Sequence, residues 1–114
     1  MTRSIPPRAV IKVGGSLLDW PELPIRVSEV LRTCEPISDR VVIIAGGGAA
    51  VDVIRELDRI HRFGELVAHQ LAIDGLELTA RILERILTGT RIASDQRDLQ
   101  RCWAEGVIPI LAPG

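Results

Sequence analysis

Ala9-Val10-Ile11-Lys12-Val13-Gly14-Gly15-Ser16 decides how this chain is read. Four of the first five residues are apolar, three of them β-branched, and the run stops at two glycines. A short apolar run bounded in this way reads as a buried strand. The pattern recurs at Val41-Val42-Ile43-Ile44, where Ala45-Gly46-Gly47-Gly48 ends the strand. Helical spacing follows each run, so the chain twice writes strand, glycine loop, helix.

After the first loop, Leu23, Val27, Val30, Leu31 and Cys34 recur at helical spacing, with Pro24 near the start where proline is tolerated. This predicts a helix over 22–33 and a turn over 36–39. After the second loop, Ala50, Val53, Ile54, Leu57 and Ile60 form a stripe opposite Asp52, Arg55, Glu56 and Arg59, predicting a helix that ends near Gly64. A long helix is expected over 65–87, with an apolar face broad enough to pack on two sides, stopped by Thr88-Gly89. Arg91-Ile92-Ala93 reads as a short strand, Asp95 as the N-cap of a helix reaching Trp103, and Val107–Leu111 as a last strand. Short apolar strands alternating with helices predict an α/β fold: a three-layer αβα sandwich with a mainly parallel sheet. The last strand has nothing after it to cover it, so an incomplete domain is expected, with that strand at an open edge. Residues 1–8 read as a flexible leader.

Bulk properties narrow the function. The 114 residues are 46% hydrophobic and 25% charged, with a net charge of −1. Nothing in that balance steers the chain toward nucleic acid or an anionic membrane. No apolar run reaches the ~18 residues of a membrane helix, and no signal-peptide core follows the N-terminus, so a cytoplasmic protein is expected. Cys34 and Cys102 stand alone, too few for a disulfide framework and without the close partners of a zinc site. Thirteen arginines accompany a single lysine, Lys12. Where arginine serves as the general cation, a lone lysine marks a position suited to a compact ammonium.

In open α/β sheets, ligands bind at the carboxyl ends of the strands. Glycines there let a phosphate approach backbone N–H groups, and the following helix adds its N-terminal donors. Gly14-Gly15-Ser16 and Gly46-Gly47-Gly48 therefore form a candidate phosphate cradle, with Lys12 near its rim. The Walker A pattern is absent. The dinucleotide fingerprint is partly met by Gly46 and Gly48, but Val51 holds the third glycine's place and no strand with a terminal acid follows. A Rossmann-type dinucleotide site is thus a lesser alternative.

The run Val10–Ser16, followed by Ile43-Ile44-Ala45-Gly46-Gly47-Gly48 opening a helix, resembles the N-terminal part of the amino acid kinase family, which includes acetylglutamate, aspartate, glutamate 5- and uridylate kinases. The resemblance covers nearly the whole chain, and Gly106–Leu111 looks like the strand that closes the first half. It implies an ATP-dependent kinase acting with Mg²⁺ on a small carboxylate or phosphate acceptor, and a homo-oligomer. It places Lys12 against the transferring phosphoryl group, Gly14, Gly15 and Ser16 at the nucleotide phosphates, and Gly46, Gly47 and Gly48 at the acceptor. The family's second lysine, its organising aspartate and its adenine pocket belong to a C-terminal half, so this chain is expected to supply mainly the acceptor-binding half. A non-catalytic assembly or regulatory module is the alternative. The glycine triplet, Arg55-Glu56-Leu57 and Ala68-His69 look most like the branch linked to furan phosphate chemistry in methanofuran synthesis.

His69 reads either as a polar or packing residue of the long helix or as an acceptor contact. His61, Asp52 and Glu56 read as solvated. Asp74 needs a partner if buried. Trp20 and Trp103 read as packing residues.

Overall fold

The computed structural model of the protein describes residue 7 and residues 9–34 and 40–112. The expected turn at 36–39 and most of the expected leader lie outside these. Four strands, β1 (Ala9–Val13), β2 (Val41–Ala45), β3 (Thr90–Ala93) and β4 (Ile108–Leu111), form one parallel sheet in the order β1-β2-β4-β3. The helices are α1 (Leu23–Thr33), α2 (Gly48–His61), α3 (Glu65–Ile86) and α4 (Gln96–Ala104). A 3₁₀ turn, Gly15–Asp19, occupies what reads in sequence as an open loop.

Side chains alternate across a strand, so each strand feeds two cores. Val13, Ile43, Ala45 and Ile110 pack with Leu23 and Val27 of α1 and with Ala80 and Leu83 of α3. Val42 and Ala93, on the other face, pack with Leu99 and Cys102 of α4. Helices thus cover both faces of the sheet, the expected three-layer arrangement. Fully burying side chains such as Ile43, Leu83 and Ile110 contributes about 1.5–3 kcal/mol apiece.

The expected edge position of the last strand is overturned. β4 lies between β2 and β3, pairing Ile43 with Ile110 and Ile92 with Ile110, and Pro109 and Ile110 are among the most buried residues. The edges are β1 and β3. β3 has its Ile92 N–H donated to Glu84 Oε2 of α3 at 2.8 Å.

Two helix faces also differ from the periodicity. In α2 the buried residue is Val51, whereas Val53, Leu57 and Ile60 of the expected stripe are exposed. In α3 the buried line is Gly75, Thr79, Ala80 and Leu83, and Val67, Leu78 and Ile82 face outward. The broad apolar face of α3 is therefore filled on one side only among the described residues. α4 begins as expected, with Asp95 Oδ1 accepting from Asp98 N at 2.8 Å.

Candidate phosphate-loop site

Because β1 and β2 are parallel neighbours, with Val13 beside Ala45, both glycine loops leave the sheet at the same edge. The ladder runs one residue past β2: Gly46 N donates to Val13 O at 2.8 Å. The loops then interlock. A Cβ on Gly15 would overlap the backbone of Gly48, and a Cβ on Gly48 would lie 2.8 Å from Gly15 Cα. A Cβ on Gly46 would lie 3.0 Å from Gly15 N. Gly48 opens α2 at φ +55°, a left-handed conformation that glycine adopts readily.

Gly15, Gly46 and Gly48 are thus required by each other's backbones. Gly14 is different. Its backbone is ordinary extended chain (φ −63°, ψ 138°), and a Cβ there would meet only Ser16 Oγ, at 3.9 Å. No packing within the described residues demands glycine at this position, which leaves open space on the loop where a ligand could approach. Ser16, in the 3₁₀ turn, is exposed. The first bond of the α2 ladder is from Val51 N to Gly47 O. The N–H groups of Gly48, Ala49 and Ala50 precede that ladder, where helices offer donors to anions.

Lys12 is exposed and pairs across the sheet with Ile44. It shares a face of β1 with Val10, which is 55% exposed. α4 covers this face over β3 and β4 and packs little on β1. Among the described residues the lone lysine therefore stands on a part of the sheet that α4 covers little, two residues before Gly14.

α3 buttresses the second loop. Thr79 is buried; its Oγ1 donates to Gly75 O at 3.0 Å and lies 3.5 Å from Gly47 O. Higher on the same helix, His69 faces α2 across a cleft of about 340 Å³ that begins at Gly47 and Gly48. Asp52 and Arg55 line its α2 side, and Ala72, Ile73 and Leu76 its α3 side. The structure thus places His69 on the same cleft as the second glycine loop, N-terminal to Thr79 along α3. It also adds Arg55, which sequence reading left on a solvated face. The available signal was the spacing Gly48, Asp52, Arg55, which places all three on one side of a helix. Glu56 does not compete for Arg55: it binds Arg59 through Oε1 and Oε2 at 2.6 and 3.1 Å. That bond holds the Glu56 carboxyl below its ordinary range and raises Arg59 above its own.

The profile of the amino acid kinase family matches residues 7–114. The chain belongs to the amino acid kinase family. No curated protein matches it. The interlocked loops of this amino acid kinase family member are part of a kinase-type phosphotransfer fold.

Other candidates take ordinary places. His61 is exposed and stacks on Phe63 with ring centroids 6.1 Å apart. Asp74 is exposed and accepts from Gln70 Nε2 at 3.2 Å. Trp103 packs beside the α4 core and donates from Nε1 to Val41 O at 2.9 Å. Trp20 is 39% exposed, with the Arg26 guanidinium 5.9 Å from its ring centroid, so it is less a core residue than expected. Both cysteines are free. Among the described residues no three His, Cys, Asp or Glu side chains are grouped to hold a metal ion.

Proposed function

We propose that the protein takes part in transfer of the γ-phosphoryl group of ATP to a small acceptor, with Mg²⁺ arriving on the nucleotide. The observation that carries this reading is the meeting of the two glycine loops at one sheet edge, with Lys12 on the strand that enters it. Phosphoryl transfer asks little covalent chemistry of a protein and much positioning and charge stabilisation. In this reading Gly14, Gly15 and Ser16 meet the nucleotide phosphates. Gly46, Gly47, Gly48 and His69 meet the acceptor. Lys12 stabilises charge on the group in transfer.

Two features weigh against a dinucleotide site. The third-glycine position is Val51, whose side chain fills the space beside Gly47 and lies 3.4 Å from a Cβ placed on Gly75. The stretch where an acid-tipped strand would follow is instead α3. A non-catalytic module that keeps the fold is the second reading.

The same reading includes a homo-oligomer in the cytoplasm. Ile25, Val53, Ile60 and Leu66 are more than half exposed, and apolar surface of this kind favours association. No helix among the described residues is long and apolar enough to cross a membrane.

The test is transfer of label from γ-labelled ATP·Mg²⁺ to a panel of small carboxylates and phosphate monoesters, a furanmethanol phosphate among them because of Ala68-His69. Label in an acceptor supports the kinase. Nucleotide-independent assembly with no transfer across the panel, by the complete gene product, supports the module.

A further inference from the structure

The peptide between Gly47 and Gly48 has a glycine on each side. Gly47 stands at ψ −33° and Gly48 at φ +55°, the two torsions about which a glycine pair turns at little cost. Turning that plane over would exchange the directions of the Gly47 carbonyl and the Gly48 N–H, because the two point opposite ways in a planar trans peptide. As the structure stands, Gly47 O is directed into α2 and toward α3, near Val51 N and Thr79 Oγ1. Gly48 N lies against the first loop, where a Cβ on Gly15 would overlap it. The direction of this one N–H, at the junction of the two loops, therefore depends on what holds the Gly47 carbonyl.

α2 itself holds it weakly. The bond from Val51 N to Gly47 O is 3.3 Å long, and no side chain caps the start of the helix. The second group within reach is the Thr79 hydroxyl of α3, 3.5 Å from Gly47 O and 3.0 Å from Gly75 O. Gly75 O does not require that hydroxyl, since the α3 ladder already gives it the Thr79 N–H. Thr79 is 2% exposed and is the single buried polar side chain among the described residues. A hydroxyl taken out of water costs free energy unless it is bonded, and a valine has the same shape without that cost. Packing alone gives no reason for threonine at this position, whereas the Gly47 carbonyl does.

Resting on the kinase reading above for its consequence, we infer that Thr79 is a positioning residue for phosphoryl transfer. Its hydroxyl pins the Gly47 carbonyl and so keeps the Gly48 N–H turned toward the first glycine loop, where charge develops on the group in transfer. Thr79 touches neither nucleotide nor acceptor; its effect passes through one peptide plane. With the hydroxyl gone, that plane turns between two orientations, and in one of them a carbonyl oxygen faces the phosphate in place of a donor.

Two substitutions separate the hydroxyl from the packing. Thr79→Val keeps the shape and removes the hydroxyl, while Thr79→Ser keeps the hydroxyl and removes a buried methyl group. The urea midpoint should therefore hold or rise in the valine variant and fall in the serine variant. Loop behaviour should follow the opposite order. In the ¹⁵N,¹³C-labelled chain without nucleotide, the Gly47 carbonyl ¹³C and Gly48 ¹⁵N signals should shift and broaden in Thr79→Val, through exchange on the microsecond-to-millisecond scale that relaxation dispersion reads. In Thr79→Ser they should stay near wild type. In the transfer assay the kcat of Thr79→Val should fall about tenfold or more with the KM for ATP little changed, and Thr79→Ser should keep most of its turnover. Loop signals and kcat that instead follow the urea midpoint, with serine the impaired variant, would make Thr79 a packing residue and overturn the inference. So would unshifted Gly47 and Gly48 signals in Thr79→Val, or an unchanged kcat. If valine disturbs the loop as described but the wild type transfers no label, the kinase reading falls and the hold of Thr79 on the loop stands.

Discussion

Gly15 and Gly48 touch backbone to backbone, from opposite loops: a Cβ on Gly48 would stand 2.8 Å from Gly15 Cα and 2.9 Å from Gly15 C. Neither neighbour is a side chain that can swing away, so a methyl group at either position must move a loop. Gly15→Ala should cost at least about 2 kcal/mol, as overpacking of rigid groups does. Gly48→Ala should cost about as much, with the left-handed φ of +55° adding ~1 kcal/mol. Because the two substitutions strain one contact, the double variant should cost less than the sum. Gly14→Ala is the contrasting case. Its extended backbone suits alanine, so stability should hold or rise by about 0.5 kcal/mol, while the KM for ATP rises if nucleotide phosphates lie against that loop. Urea midpoints for the four variants check the stability statements, and ATP kinetics of the complete gene product checks the last.

Lys12 offers a separation of function from fold. Among the described residues it is exposed on a part of the sheet that α4 covers little, and its ammonium makes no ion pair. Lys12→Ala should therefore change unfolding free energy by no more than ~0.5 kcal/mol. If the ammonium stabilises charge on the transferring group, turnover should fall by ~10²–10³ in the complete gene product. Lys12→Arg should recover little, because a planar fork does not replace a compact charge. Equal turnover in wild type and Lys12→Ala would remove Lys12 from the mechanism.

Asp95 and Asp98 close the start of α4 from both directions. Asp95 Oδ1 accepts from Asp98 N at 2.8 Å, and Asp98 Oδ2 accepts from Ser94 N at 3.2 Å. α4 supplies Leu99 and Cys102 to the smaller core, so fraying its first turn exposes that core. Asp95→Ala should lower stability by about 1 kcal/mol, and Asp95→Ser should restore most of it. Thermal or urea unfolding measures both, and a loss shared equally by alanine and serine would argue against capping.

The strand–glycine–helix units were legible because their signals are local: apolar runs at 9–13 and 41–45, glycines next, then helical spacing. Asp95 was legible for the same reason. The place of β4 was not, since strand order depends on which crossover the chain takes and no residue from Val107 to Leu111 encodes that it will lie beside Ile43. The α2 face was misread because α2 carries apolar residues all around, at Ala50, Val51, Val53, Ile54, Leu57 and Ile60. Periodicity favoured the longer stripe. Val51 is buried for a non-local reason, the bare backbones of Gly47 and Gly75 beside it. The place of Arg55 on the cleft was not legible for a related reason: it depends on α3 lying opposite, across a seam that only the helix pairing creates.

Gly75 is where that seam is tightest. It is buried in the middle of α3, and a Cβ there would lie 3.2 Å from Ile54 Cδ1, 3.4 Å from Val51 Cγ2 and 3.6 Å from Ala50 Cβ. Two effects of opposite sign meet at this residue. Alanine is favoured over glycine in a helix interior by about 1 kcal/mol. Against that, the added methyl presses on the ends of two α2 side chains, one of them the flexible δ carbon of Ile54. Because those ends need give only a few tenths of an ångström, Gly75→Ala should leave stability within ~1 kcal/mol of wild type. Gly75→Leu has no such escape. Its branched side chain must push α2 away from α3, at a cost of about 2–3 kcal/mol, and must also disturb the Thr79 hydroxyl, whose acceptor is Gly75 O. Since Val51 and Gly47 sit at the same crossing, the leucine should shift the amides of Gly47, Gly48 and His69 as well as lower the urea midpoint. A Gly75→Leu variant with wild-type stability and unmoved loop amides would show that α3 does not hold the second glycine loop in place.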